Sequence, residues 1–91
     1  MPLAAVHKNL FVIAARTAAK RGAFFDAETR YRQAIAHCQK HTGKESAACG
    51  LLLIELSYFY EDQNRQIDAD RCWKEVRKIL VSHYRARKGA V

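Results

Sequence analysis

Apolar residues recur at three- and four-residue steps along four separate stretches of the chain. This spacing places them on one face of an α-helix, so the pattern predicts four helices. We expect these helices to span about residues 2–21, 26–41, 46–62 and 67 to the mid-80s. Gly22, Gly43 and Asn64 lie between them, where a left-handed residue can end a helix. The sequence therefore predicts an all-α fold of four antiparallel helices.

The third predicted helix differs from the others because it is apolar around most of its circumference. It contains Leu51, Leu52, Leu53, Ile54 and Leu56 within six positions. A helix of this kind is normally buried on more than one side. We therefore expect it to lie between neighbouring helices.

The second and fourth predicted helices each have one apolar face. On the second helix this face consists of Phe24, Ala27, Tyr31, Ala34, Ile35 and Cys38. On the fourth it consists of Ile67, Cys72, Trp73, Val76, Ile79, Leu80 and Tyr84. The face of the second helix is expected to be buried, and the chain is long enough for one small domain.

The chain contains an internal repeat with a period of 42 residues. The pattern Leu53-x2-Leu56-Ser57-x2-Tyr60, then Ala69-x3-Trp73-x2-Val76, recurs upstream as Phe11-x2-Ala14-Ala15-x2-Ala18, then Ala27-x3-Tyr31-x2-Ala34. This resembles the tetratricopeptide repeat, a helix–turn–helix unit, and its long period resembles the variant in kinesin light chain. The resemblance implies a short α-solenoid with repeats at about 3–42 and 46–84 and a basic tail at 85–91.

The resemblance also implies a concave peptide-binding groove lined by the first helix of each repeat. The positions that carry ligand contacts in this family correspond here to Asn9, Val12, Arg16 and Lys20, and to Leu51, Ile54, Tyr58 and Glu61. The first set is mainly polar and cationic, and the second is mainly apolar. We expect a peptide with an acidic group at one end and an apolar anchor at the other.

One subset of this family binds the C-terminal carboxylate of chaperone tails with a groove lysine and an asparagine four residues later. Val12 and Arg16 occupy those places in this chain. The sequence therefore does not predict binding to chaperone tails.

The last helix is the second candidate surface. Repeat arrays bury their core by stacking, and about three repeats or a polar cap are usually needed. With two repeats and no further capping helix, we expect Ile79, Leu80 and Tyr84 to stay uncovered and to form an assembly interface. The expected occupant is a second copy or a stable partner, which would make the chain an adaptor or a chaperone-like subunit.

The charge is positive and unevenly distributed, which keeps a second class of partner open. The net charge is +7, with +6 in residues 1–44, −2 in residues 45–80 and +3 in residues 81–91. Arg85, Arg87 and Lys88 can contact phosphates, so an accessory role on nucleic acid is the alternative function. No recognised nucleic-acid motif is present, and we expect protein binding instead.

Catalytic and metal chemistry have little support in the sequence. His37, Cys38 and His41 include a histidine pair four residues apart, but zinc needs three or four ligands, so no metal or cofactor is expected. No phosphate loop, nucleophile motif or carboxylate pair is present, and we expect no enzyme activity.

The expected compartment is the cytoplasm. The three cysteines form no C-x-x-C pair and fall within helical patterns, as reduced core thiols do. No apolar run approaches the roughly 20 residues that cross a bilayer, so no membrane partner is expected. Residues 1–25 contain Lys8, Arg16, Lys20 and Arg21 without an acid, so a mitochondrial transit peptide and a matrix location are the alternative.

Overall fold

The computed structural model describes the backbone of residues 3–89 and the side chains of residues 10–87. Four helices make up this part of the chain: α1 (Leu3–Lys20), α2 (Phe24–Thr42), α3 (Ala47–Asp62) and α4 (Gln66–Gly89). No strand occurs within it, and the predicted all-α fold is confirmed. Helix α2 begins at Phe24, near the predicted start, and Asp26 lies in its first turn.

The helices are arranged as two hairpins. Helix α1 packs along α2, α3 packs along α4, and α2 packs against α3 to join the hairpins. The joint core contains Tyr31 and Ile35 from α2, Leu56 and Tyr60 from α3, and Val76 from α4. Phe24, predicted to be buried, is 48% exposed, although its ring lies 6.2 Å from that of Phe59.

The two hairpin turns have the same geometry 42 residues apart. Gly22 and Asn64 both have a left-handed backbone, with φ of 77° and 61°. In the first turn, the N–H groups of Gly22 and Ala23 donate to the carbonyls of Ala19 and Ala18. In the second, Asn64 and Arg65 donate to the carbonyls of Glu61 and Tyr60. Both turns are Schellman motifs, which satisfy the last carbonyls of α1 and α3.

Each of the four helices has a small residue that is completely buried. Ala15 on α1 and Ser57 on α3, which are 42 positions apart, are completely buried. Ala27 and Ala69, on α2 and α4, are also completely buried. The Ser57 hydroxyl donates to the Ile54 carbonyl at 2.6 Å, so this buried polar group is satisfied.

The connection between the hairpins is fixed by side-chain hydrogen bonds. Ser46 is the N-cap of α3, and its hydroxyl accepts a hydrogen bond from the Cys49 N–H at 3.2 Å. Serine is one of the residues preferred at this position, because its hydroxyl can accept a hydrogen bond from an N–H of the first turn. Glu45, one residue earlier, accepts a hydrogen bond from the Ser82 hydroxyl at 2.5 Å, which ties the loop to the last turns of α4.

Alanine substitutions at two glycines should change stability in opposite directions. Gly22→Ala should lower the free energy of unfolding by about 1 kcal/mol, because a Cβ disfavours the left-handed backbone. Gly50→Ala should raise it by up to about 1 kcal/mol, because Gly50 lies inside α3 and alanine favours a helix. A Cβ at Gly50 would meet Ile79 at 3.5 Å, an ordinary contact. Urea unfolding followed by circular dichroism measures both changes, and shifts in the same direction would contradict these assignments.

Candidate functional site

One carboxylate at the junction of the two hairpins binds side chains from two other helices. Glu55 on α3 accepts hydrogen bonds from Arg16 of α1, at 2.8 Å from Nε and 2.6 Å from Nη2. It also accepts one from the Tyr31 hydroxyl of α2 at 2.7 Å. We call Glu55, Arg16 and Tyr31 the Glu55 cluster. A bidentate pair of this kind fixes orientation as well as charge.

The Glu55 cluster changes what the α1 half of the predicted groove can do. Hydrogen bonds from Arg16 lower the pKa of Glu55, against partial burial, which raises it. Burial and the hydrogen bond to Glu55 raise the pKa of Tyr31. Because Arg16 is paired with the carboxylate of Glu55, much of its charge is already neutralised. It is therefore poorly suited to recruit an acidic peptide.

The remaining α1 positions of the predicted groove have different environments. Val12 is 8% exposed and lines small hollows with Leu52 and Arg16, so it belongs to the contact between the hairpins. This corrects its prediction as a ligand-contacting position. Lys20 is exposed at the end of α1. The side chain of Asn9 lies outside the described residues.

A second carboxylate holds the turn between α3 and α4. Glu28 on α2 accepts hydrogen bonds from Arg65 (2.9 Å from Nη1), from the Tyr60 hydroxyl (2.6 Å) and from Arg32 (3.1 Å). The Arg65 guanidinium also lies 4.6 Å from the centre of the Tyr60 ring and forms an ion pair with Asp68 at 2.9 Å. We call Glu28, Arg32, Tyr60, Arg65 and Asp68 the Glu28 cluster.

The Glu28 cluster is a structural clamp with strongly stabilised charges. Hydrogen bonds from Arg65, with smaller contributions from Tyr60 and Arg32, lower the pKa of Glu28 to about 2, although partial burial opposes them. Burial and the hydrogen bond to Glu28 raise the pKa of Tyr60 to about 12. This cluster was not predicted from the sequence. Helical spacing relates Glu28 to Arg32 and Arg65 to Asp68, but it does not show that these two segments meet.

A hollow with an almost entirely apolar lining lies along α3 and α4. It has a volume of about 330 Å³ and is lined by Ala47, Gly50, Leu51, Ile54, Val76, Ile79, Leu80 and His83. We call this surface the open-end groove. Leu51 and Leu80 form its exposed edges, at 68% and 62% exposure.

The open-end groove unites residues that were predicted from the sequence to lie on two different surfaces. Leu51 and Ile54 were predicted to line the concave groove, whereas Ile79 and Leu80 were predicted to form an assembly interface. All four line one hollow, because α3 and α4 pack side by side. Ile79 is only 5% exposed, so it forms the floor of the groove and the prediction that it is uncovered is corrected.

The other predicted site residues lie near this groove. Tyr58 is 56% exposed, and its ring makes an edge contact with Trp73 of α4 at 5.6 Å. Glu61 accepts a hydrogen bond from the Trp73 indole at 3.1 Å, so it has a structural partner. Tyr84 is 65% exposed, one turn beyond Leu80. Tyr58, Trp73 and Tyr84 therefore extend the apolar surface beyond the groove itself.

Cations follow one flank of α4 beside the groove. Lys74, Arg77, Lys78 and Arg85 line a hollow of about 700 Å³ together with Val81, Ser82 and Glu45. We call these four cations the basic stripe. Arg77 lies one turn before Leu80, so the stripe adjoins the exposed edge of the open-end groove. The groove is therefore apolar with a positively charged margin.

Residues 3–89, which the structure describes, contain neither a cluster of metal ligands nor a membrane-spanning helix. In that part of the chain, no three histidine, cysteine or acidic side chains come together as a metal site. Its helices also include none with the length and apolar character needed to cross a membrane. Cys38, Cys49 and Cys72 are buried free thiols, and burial raises the pKa of Cys49 and of Cys72.

Comparison of the chain with protein-family models, with curated proteins and with solved structures finds no match in any of the three. Its function is therefore inferred from the geometry of the chain itself.

Acid should remove the contribution of the Glu28 cluster to stability. The folded pKa of Glu28 is below its ordinary value of 4.5, so its contribution is present above that value and is lost as the pH falls from about 4.5 to about 2. Glu28→Gln should lower the free energy of unfolding at pH 7 by roughly 1–3 kcal/mol. It should also weaken the pH dependence in this window.

Urea unfolding at several pH values measures both effects. Glu75→Gln is the matched control, because Glu75 forms a 3.2 Å ion pair with Lys78 in which both side chains are more than half exposed. Such exposed pairs contribute about 0–1 kcal/mol, so the control should change little. If both variants lost the same free energy of unfolding, the Glu28 cluster would stabilise the fold no more than an exposed ion pair does.

Proposed function

We propose that this chain is a non-catalytic protein-interaction module of two tetratricopeptide-like repeats that binds a partner segment in its open-end groove. The observation that carries the proposal is the groove itself: a preformed apolar hollow of about 330 Å³ with exposed leucines at both edges. Contiguous apolar surface of this kind is typical of interaction sites. The second half of the predicted concave surface contributes Leu51 and Ile54 to it.

Two features support the tetratricopeptide-like assignment. The hairpin turns share the same Schellman geometry at a spacing of 42 residues. The small buried residues of the two hairpins are also related by 42 positions. These features favour two copies of one helical unit, which would stack as a short solenoid.

Binding in this proposal uses a rigid helical platform. The Glu55 cluster joins α3 to α1 and α2, and the Glu28 cluster joins the α3–α4 turn to α2. Because α3 and α4 are held in place before a partner arrives, little conformational entropy is lost on binding. Complete burial of one leucine contributes about 1.5–3 kcal/mol, so Leu51 and Leu80 would supply much of the affinity.

The same clusters support a non-catalytic role. Glu28, with a pKa lowered to about 2 and three side-chain donors around it, is a poor proton acceptor near neutral pH. Glu55 is also bound by Arg16 and Tyr31. The strongly perturbed groups of this chain are therefore explained by helix packing. The buried free thiols favour a reducing compartment, for which we propose the cytoplasm.

Nucleic-acid association is the second candidate function, and the basic stripe is the observation that favours it. Four cations along one flank of α4 match the requirement for phosphate contacts. Lys88 of the basic tail lies outside the residues whose side chains are described.

Photo-crosslinking in the native cell tests the proposed function. A photoreactive phenylalanine analogue at position 80 should form an adduct with a partner chain, because Leu80 is exposed at the edge of the groove. The same analogue at position 33 is the control, because Gln33 is exposed on α2 outside the groove. Mass spectrometry of the adducts identifies the partner. Equal labelling from positions 80 and 33, or none from position 80, would contradict the proposal.

Salt dependence of duplex DNA binding tests the second candidate. If all four cations of the basic stripe contact phosphates, log K should fall with log salt concentration with a slope of about −3.6. Lys78→Ala should reduce the slope by about one unit. Binding without this dependence, or no binding at ~50 mM salt, would exclude the nucleic-acid role of the stripe.

A further inference from the structure

The open-end groove of the second hairpin has a counterpart on the first hairpin, and that counterpart is covered. Subtracting 42 from the groove residues Ile54, Val76 and Leu80 gives Val12, Ala34 and Cys38. Val12 is 8% exposed, and Ala34 and Cys38 are completely buried. Helix α3 covers two of them, since its Ala48 and Leu52 line the same small hollow as Val12 and Cys38. The corresponding residue at the end of the stack, Leu80, is 62% exposed.

The shape of the natural cover follows from α3. This helix is 16 residues long and contacts the first hairpin through Ala48, Leu52, Glu55 and Phe59, at steps of four, three and four. An occupant of the equivalent surface on α3 and α4 should therefore be a helix whose contact residues lie at the same steps, with apolar side chains where it meets Leu51, Ile54 and Leu80. An extended peptide would not repeat this footprint.

The charge of the chain argues against a second copy as the occupant. In head-to-tail stacking, α1 of one copy would lie on α3 and α4 of another. Helix α1 contains no acid, and besides Arg16, whose charge Glu55 largely neutralises, it contains Lys8 and Lys20, so it would add positive charge beside the basic stripe of α4. A two-fold dimer through the groove would instead bring two basic stripes together. Like charges across an interface suppress both arrangements.

We infer that the open-end groove receives an amphipathic helix with an acidic polar flank, supplied by a chain other than this one. The helix lies on α3 and α4 as α3 lies on α1 and α2, with its apolar side chains against Leu51, Ile54 and Leu80. Its acidic flank faces Lys74 and Arg77. The inference rests on the proposed function, since it names the partner of the same groove.

Two designed helices test the inference. Each is a stapled, fluorescein-labelled peptide of about 16 residues with leucines at i, i+4, i+7 and i+11, since stapling lowers the ordering cost of so short a helix. One has glutamates on its polar flanks and the other has lysines. Fluorescence anisotropy with the full chain at ~50 mM salt should give a Kd at least roughly tenfold lower for the acidic helix. The preference should decrease at ~500 mM salt.

Substitutions at matched positions locate the binding site. Leu80→Ser should raise the Kd for the acidic helix by roughly tenfold, because Leu80 would be buried in the complex. Leu10→Ser should change little, although Leu10 of α1 has a similar exposure of 57%. The double reversal Lys74→Glu/Arg77→Glu should remove or invert the preference for the acidic helix. Arg21→Glu/Lys40→Glu, with the same change in net charge, should preserve it.

The outcomes separate this inference from the proposed function. Equal binding of the two helices, with loss on Leu80→Ser, would overturn the acidic partner but leave the groove as a binding site. If neither helix binds, or if Leu80→Ser leaves the Kd of the acidic helix unchanged, the inferred helical occupant is wrong. Crosslinking at position 80 then still decides the proposed function. A dimer in sedimentation velocity that Leu80→Ser dissociates would show that the occupant is a second copy.

Discussion

The packing of this protein depends on how the apolar surface of α3 is covered. Apolar side chains lie on most sides of this helix, and two hairpins provide only two contacts for it. One face packs on α4, and another packs on the first hairpin. The third face, with Leu51 at 68% exposure, has no cover within the described residues. The open-end groove forms because no described helix of the chain packs on this third face of α3.

Two polar clusters determine how rigid that groove is. A fully exposed ion pair contributes about 0–1 kcal/mol, whereas hydrogen bonds to a charged group contribute roughly 1.5–3 kcal/mol each. Glu28, whose side chain is 15% exposed, is of the second kind and connects α2 to the end of α3 and the α3–α4 turn. Glu55 is 29% exposed and joins the two hairpins. Both carboxylates hold helices in place, and neither is free for a ligand.

Charge and apolar surface lie side by side on α4. The groove side contains Val76, Ile79 and Leu80, and the adjoining flank contains the basic stripe. Apolar contact supplies affinity with little directional preference, whereas a charged margin discriminates between partners and speeds encounter. The proposed module therefore combines both properties on one helix, which is why charge-matched variants can separate them.

The sequence by itself determined the helices, their turns and the internal period, because these depend on local spacing and on residues such as Gly22 and Asn64 that accept a left-handed backbone. It also indicated that α3 needs several neighbours. The tertiary structure alone decided that Arg16 binds Glu55, that Val12 and Ile79 are buried, and that Leu51 and Leu80 line one groove. These facts depend on which faces of separate helices meet, and helical periodicity shows a face without showing what packs against it.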